Sequence, residues 1–144
     1  MPRPRLVGIN HVALEVDDVE AAVDFLGRIF ELRSVSRVPG GAFVDIGDQF
    51  IALFERGEAR HFGLVVDDKE AVRERLAQEG VEVFGRGLDF RDPSGNVIQI
   101  VQYDQVQFTK DERILRAMGL SAEKTEAALD ELRAKGLGPD ESQQ

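Results

Sequence analysis

The chain has 144 residues, of which 42% are hydrophobic and 31% charged, so its length and composition suit one compact domain with a core. Its formal net charge of −9 argues against nucleic-acid binding, which requires clustered lysine and arginine. The absence of cysteine excludes disulfides, thiolate metal ligands and cysteine nucleophiles. No apolar run is long enough to span a bilayer and no apolar signal-peptide core begins the chain, so we expect a cytoplasmic protein without membrane partners.

The first part of the chain predicts a strand, a helix and a group of shorter strands. In chain order these are a strand over 8–16, a helix over 19–30, an extended run within Arg33–Val38, and strands Ala42–Ile46 and Phe50–Phe54. The spacing of Asp17 and Glu20 resembles a capping box at the start of the helix. Gly47 and Asp48 separate the last two strands and predict a tight hairpin turn.

The next part of the chain repeats this order of elements. It predicts a strand over 61–66, a helix that starts near Asp67 and Glu70, and strands Val81–Phe84, Leu88–Arg91 and Val97–Tyr103. Gly80 lies where a left-handed helix C-cap is expected, and the turn formers of 92–96 separate the last two strands. Each of the two parts therefore predicts one β-α-β-β-β module.

The predicted fold class is α+β, with two paired βαβββ modules that form a curved mixed sheet around a cavity, plus C-terminal helices. From Lys110 onward the chain is charged and favours two short helices, the second capped by Ser121. These helices would cover a cavity mouth or a subunit interface, or simply pack on the surface. The predicted boundaries are a domain over 1–106 with modules 6–56 and 58–104, a helical extension over 107–138 and a disordered tail over 139–144.

The chain has only two histidines, and they begin two copies of one motif. His11–Asp18 aligns with His61–Asp68, with five identities in eight positions at an offset of 50 residues. Imidazole is the commonest protein ligand for transition metals and the usual acid–base group near neutral pH. A matched pair in an internal repeat therefore predicts a shared metal site, whereas the alternative is two strand-end rings that pack well.

The chain resembles the vicinal oxygen chelate superfamily in its paired modules, its two histidine-initiated strands and its segment 92–100, Asp-Pro-Ser-Gly-Asn-Val-Ile-Gln-Ile. That superfamily includes glyoxalase I, extradiol dioxygenases, fosfomycin-resistance proteins, methylmalonyl-CoA epimerase and bleomycin-binding proteins. The resemblance covers residues 6 to about 104. It is specific for the fold and leaves the reaction open.

The resemblance also implies a set of metal ligands. In metal-using members, one ligand lies at the start of each module's first strand, which here means His11 and His61. A second ligand lies in each last strand and is typically glutamate; this chain has Gln99 in one and, by alignment of the modules, Ala52 in the other. The implied cofactor is a divalent ion (Fe, Mn, Ni, Co or Zn) held by His11, His61 and Gln99. The missing carboxylates weigh against glyoxalase I activity and a standard extradiol dioxygenase.

Two other carboxylates are candidate catalytic residues. Strand alternation places Glu15 on the face of His11. A two-residue turn at 47–48 places Asp45 opposite Phe50 on that same face. Glu15 and Asp45 could therefore act as ligand or base, and the alternative is that both lie at a solvated rim.

The same alternation predicts an apolar lining for the cavity. The predicted substrate-binding residues are Phe43, Phe50, Ala52, Phe54 and Phe90. Aromatic side chains suit a small aromatic or apolar molecule, although phenylalanines also serve simply to fill a core.

These features leave three functions open. The first is a divalent-metal enzyme that chelates vicinal oxygens of a small substrate and acts as a Lewis acid, as an isomerase, lyase, dioxygenase or transferase. The second is a metal-free binding or drug-sequestering protein of the bleomycin-resistance type. The third is an inactive structural or regulatory domain. The resemblance further implies a homodimer, and it leaves open whether His11 and His61 share a metal within one chain or lie in sites completed by two chains.

Overall fold

The computed structural model describes residues 3–55 and 60–137, so the predicted module boundaries at 56 and 58 and the predicted tail 139–144 lie outside the described residues. The strands are β1 (Leu6–Glu15), β2 (Val35–Val38), β3 (Gly41–Ile46), β4 (Gln49–Phe54), β5 (His61–Val66), β6 (Val83–Phe84), β7 (Leu88–Arg91) and β8 (Val97–Gln102). The helices are α1 (Val19–Ile29), α2 (Lys69–Gln78), α3 (Glu112–Ala117) and α4 (Glu126–Ala134), with a 3₁₀ turn over Tyr103–Gln105. No helix in this part of the chain combines the length and apolar character needed to cross a membrane.

All eight strands form one mixed sheet in the order β2-β3-β4-β1-β5-β8-β7-β6. Within each module the first strand pairs in parallel with the last, β1 with β4 and β5 with β8. The modules join where β1 pairs antiparallel with β5, so a single sheet continues from one module into the other. The predicted α+β fold of two paired βαβββ modules with C-terminal helices is confirmed.

The helices α1 and α2 begin at equivalent aspartates. The side chains of Asp18 and Asp68 each accept a hydrogen bond from the backbone N–H three residues ahead, at 3.0 and 3.1 Å, and so satisfy an otherwise unpaired donor of the first turn. The capping predicted at Asp17 and Asp67 is therefore wrong by one residue. Asp67 instead accepts the backbone N–H of Arg5 at 2.8 Å, which ties the chain before β1 to the end of β5.

Each of these helices covers one face of its own half of the sheet. The buried cluster between α1 and the sheet comprises Val19 and Val23 of the helix and Ala42, Val44 and Leu53 of the strands. The buried cluster beneath α2 comprises Val66, Val72, Leu76, Leu88 and Ile100. Because side chains alternate along a strand, the intervening residues face the other way. We call that opposite face, which carries His11, Phe43, Gly63 and Gln99, the inner face.

The C-terminal segment packs onto one end of the inner face. Val65, two residues beyond Gly63 on β5, is fully buried in a cluster with Tyr103, Phe108 and Leu115. The ring of Phe108 lies so close to Gly8 in β1 that a Cβ there would approach it to 2.6 Å. The segment therefore closes the inner face at the end of β5 away from His61.

Polar contacts fix this segment to the sheet. Thr109 donates its N–H and its hydroxyl to the side chain of Asp48, at 2.7 and 2.9 Å, in the turn between β3 and β4. Thr125 caps α4, so the cap predicted at Ser121 is wrong by four residues. Ser121 instead accepts the N–H of Glu123, a local turn contact that competes with helix formation.

Candidate metal and substrate site

The two histidines meet at the joint between the modules. His11 lies in β1 and His61 begins β5, and these strands pair directly. Their ring centroids are 5.3 Å apart and their planes are inclined at 81°. Since both strands belong to one chain, a single copy of the protein brings the two rings together.

A β-bulge in β1 places Asn10 beside His11. The register shifts between Ile9 and His11, so that two residues of β1 lie opposite Gly63. A Cβ at position 63 would overlap both the His11 ring and the Asn10 side chain, so the two polar groups require glycine there. Asn10 Oδ1 lies 2.9 Å from His11 Nδ1, and both residues are only 6% exposed.

The surroundings of His11 keep its imidazole neutral and oriented. Burial and the neighbouring His61 lower the pKa of His11 from 6.5 to about 4, and a hydrogen bond with Gln99 offsets this only in part. The ring stacks on Phe50 with centroids 4.6 Å apart and planes within 5°. With the proton on Nδ1, His11 would donate it to Asn10 Oδ1, and Nε2 would carry the lone pair that a metal needs. Neutral imidazole is the form that binds metals.

Gln99 is the third polar side chain of this group. Parallel pairing of β5 with β8 places it beside Gly63, on the same face as both rings. No group of three or more His, Cys, Asp or Glu side chains within residues 3–55 and 60–137 is arranged to hold a metal ion. A metal here would therefore depend on the amide oxygen of Gln99 as its third donor. Two imidazoles and one amide oxygen fit a divalent transition metal and leave positions for substrate oxygens.

The module-one half of the inner face is aromatic. Phe43 makes edge-to-face contacts with Phe50 and Phe54, at centroid distances of 5.7 and 6.0 Å. Ala52 lies directly opposite Phe43 and is 1% exposed. The structure places these four residues on the inner face, where strand alternation predicts them. Their part in substrate binding stays a prediction.

Phe90, in contrast, does not face the histidines, so its predicted place in the cavity lining is wrong. It pairs with Ile98 and packs against the buried cluster beneath α2. The turn over 92–96 sets a register in which Arg91 opposes Val97 and Asp89 opposes Gln99. The even-numbered residues of β7 therefore face α2, and Asp89 takes the inner-face position.

The two predicted catalytic carboxylates have different surroundings. Glu15 lies opposite Phe54 at the end of β1 and is exposed. Asp45 lies opposite Phe50 and forms an ion pair with Lys135 at 2.9 Å. A catalytic role for either carboxylate stays a prediction; Asp45 would act with its charge already balanced by Lys135.

Sequence reasoning missed Asn10 and Asp89. Asn10 should point away from the inner face by simple alternation, and only the bulge brings it beside His11. Asp89 was predictable in principle: if residues 92–96 form the turn, Arg91 pairs with Val97, and Asp89 then pairs with Gln99.

Comparisons with known proteins agree with this architecture. Residues 8–100 match the family described as the Glyoxalase/Bleomycin resistance protein/Dioxygenase superfamily. The glutathione transferase FosA of Serratia marcescens is 26% identical, over 66% of this chain and 80% of that protein. The metallothiol transferase FosB of Shouchella clausii is also 26% identical, over 65% of this chain and 78% of that protein.

Solved structures show the same fold. The Mn(II)-bound glyoxalase from Novosphingobium aromaticivorans superimposes with a TM-score of 0.58 at 18% identity, over 69% of this chain but 40% of that longer protein. The homoprotocatechuate 2,3-dioxygenase from B. fuscum gives 0.55 at 20% identity, over 70% of this chain and 33% of that protein. The family match covers most of the chain, including both histidines and Gln99. The chain is a member of the Glyoxalase/Bleomycin resistance protein/Dioxygenase superfamily.

Proposed function

We propose that this protein is a divalent-metal enzyme that binds a small substrate through two vicinal oxygens. His11, His61 and Gln99 would hold the ion. The observation that carries the proposal is their convergence on one face from three strands and both modules. The relatives named as a Mn(II)-bound glyoxalase and a metallothiol transferase support it.

The surrounding residues have distinct parts in such a site. Asn10 fixes the orientation of His11, and the stacked ring of Phe50 shields it from water. A bound divalent ion supplies Lewis-acid stabilisation of negative charge on a substrate oxygen. Among the reaction classes that the superfamily offers, we place group transfer first, because two relatives at 26% identity are named transferases.

The donor set also favours a second candidate function, a metal-free binding protein. Gln99 supplies an amide where a carboxylate would partly neutralise the ion, so all three donors are neutral. The aromatic half of the inner face, formed by Phe43, Phe50 and Phe54, would then bind an apolar ligand by burial alone.

Metal content per chain separates the two functions. The protein is purified without a histidine tag, as wild type and as His11→Ala, His61→Ala and Gln99→Ala. We expect near-stoichiometric metal in the wild type and its loss from both histidine variants. Gln78→Ala removes an exposed amide at the end of α2 and serves as the matched control for Gln99→Ala.

The opposite outcome is equally informative. A wild type that binds none of Mn, Fe, Ni, Co or Zn under reducing conditions overturns the metal enzyme and favours the binding protein. Calorimetry with small aromatic ligands then tests the aromatic lining, with Phe43→Ala as the variant expected to bind less tightly. Analytical ultracentrifugation tests the predicted homodimer, which the joining of β1 and β5 within one chain does not require.

A further inference from the structure

The strand registers place six residues in one row across the inner face. In order across the sheet these are Asp45, Phe50, His11, Gly63, Gln99 and Asp89. Residues directly opposite each other on neighbouring antiparallel strands have Cβ atoms roughly 5 Å apart. Asp89 is therefore the immediate neighbour of the proposed ligand Gln99.

The carboxylate of Asp89 has unused hydrogen-bonding capacity. Its Oδ1 is buried and has no hydrogen-bond partner among the residues that the structure describes. Both oxygens lie beside the turn between β6 and β7: a Cβ at Gly85 would approach Oδ2 to 2.8 Å, and a Cβ at Gly87 would approach Oδ1 to 3.9 Å. A buried carboxylate oxygen without a donor is costly, and a bound ligand that donates to it is one explanation for its presence.

The two predicted catalytic carboxylates of this face have different surroundings from Asp89. Asp45, at the far end of the same row, is neutralised by Lys135, and Glu15 is solvated at the end of β1. Arg91 shares the face of Asp89, but its guanidinium lies over the Phe84 ring at 4.8 Å, and no ion pair joins it to Asp89 in the described part of the chain.

We propose that Asp89 determines substrate specificity in this site. Its carboxylate accepts a hydrogen bond from a donor, an N–H or hydroxyl, carried next to the two oxygens that bind the metal, and it repels substrates with a second negative charge. This inference rests on the proposed metal centre, and it extends that centre by naming the substrate class. Because Oδ1 is enclosed, water does not compete for the hydrogen bond that it would accept from such a donor.

Two small chelators test the inference on the cobalt-loaded protein. Acetohydroxamate offers two vicinal oxygens and an N–H, whereas oxalate offers two vicinal oxygens and two negative charges without a donor. Dissociation constants come from changes in the cobalt absorption spectrum. We expect the wild type to prefer acetohydroxamate, and Asp89→Asn to shift the preference toward oxalate by about tenfold or more.

Three controls separate this role from a structural one. Glu74→Gln makes the same change of charge on an exposed position of α2 and should leave the preference unchanged. Asp89→Asn should still bind cobalt stoichiometrically, and its unfolding temperature should stay equal or rise, because the enclosed oxygen without a donor loses its negative charge. Asp89→Ser repeats the test with a smaller side chain in case the amide disturbs the packing against Gly85.

The outcomes are distinguishable. Normal cobalt binding with an unchanged chelator preference in both Asp89 variants overturns the role of Asp89 and leaves the metal centre standing. Failure of the wild type to bind cobalt overturns the metal centre and, with it, the role of Asp89 toward a metal-bound substrate.

Discussion

The two modules have the same backbone but opposite inner faces. Equivalent places in the registers carry Phe50 and Val97, Ala52 and Gln99, and Phe43 and Asp89. Module one therefore presents an aromatic wall, and module two presents an amide and a carboxylate. Only the histidines are matched, one from each module, and they meet where the modules join.

This difference shows which part of the repeat is constrained by folding. In each module, the sheet face opposite the inner face packs against a helix, and in both modules that face carries aliphatic residues. The inner face contacts no helix of its own module, so helix packing does not constrain its residues. A repeated fold can in this way hold one asymmetric site.

The largest expected effect comes from Gly63, whose equivalent in module one is Ala13. We expect Gly63→Ala to destabilise the protein by about 3 kcal/mol and to abolish metal binding, because the new methyl group overlaps His11 and Asn10. Chemical denaturation and metal titration measure the two effects. Gly27→Ala in α1 is the control, since its Cβ meets only Leu32 at 3.8 Å and should stabilise the helix by roughly 0.5–1 kcal/mol. Equal effects of the two substitutions would contradict the close approach of His11 and Asn10 to Gly63 where β1 pairs with β5.

Exchanging the last-strand residues tests the asymmetry directly. Gln99→Glu should raise metal affinity by about tenfold, because it adds an anionic donor beside two imidazoles. Ala52→Glu places the same carboxylate in the aromatic half, where the site is 1% exposed, and should cost about 3 kcal/mol of stability without metal. Metal titration and denaturation of both variants measure these outcomes. If Ala52→Glu raised metal affinity and Gln99→Glu did not, the metal-binding half of the inner face would be module one and not module two.

Asn10 offers a smaller test of the same comparison, because its contact orients only one of the two histidines. Asn10→Ala should weaken metal binding by about tenfold while leaving His61 in place. Asn10→Asp retains an acceptor for His11 Nδ1–H and should restore the affinity. The two variants are compared by metal titration, with the imidazole tautomers followed by nitrogen NMR. Failure of the aspartate to rescue would indicate that Asn10 has a packing role instead.

A separate test concerns the C-terminal segment that covers one end of the inner face. Lys124 donates to the backbone carbonyls of Tyr103 and Val106, and burial lowers its pKa from 10.5 to about 8. The unfolded chain thus binds one more proton between about pH 8 and 10, so the free energy of unfolding should rise across that window. Above pH 10 the raised pKa of Tyr103 acts in the opposite direction. Denaturation at several pH values should show this rise in the wild type and a flatter dependence in Lys124→Met.

Much of the architecture followed from local patterns. Alternation, helical periodicity and turn residues located the strands and helices, and the hairpin at Gly47 and Asp48 has the predicted register. The paired histidines were predicted because a repeat is visible without knowledge of the fold. Helix starts were misplaced by one residue, since two consecutive aspartates offer the same capping chemistry and packing selects between them.

The sequence by itself determined the two-module fold and the equivalence of His11 and His61, because these depend on short-range periodicity and on an internal repeat. It left open whether the two histidines meet within one chain. The tertiary structure decided the rest of the site. The bulge that turns Asn10 inward, the register that places Asp89 beside Gln99 and Phe90 beneath α2, and the ion pair of Asp45 with Lys135 all join distant or irregular segments. Such contacts depend on the packing of whole strands against each other, and a one-residue shift in register reverses the face of every side chain.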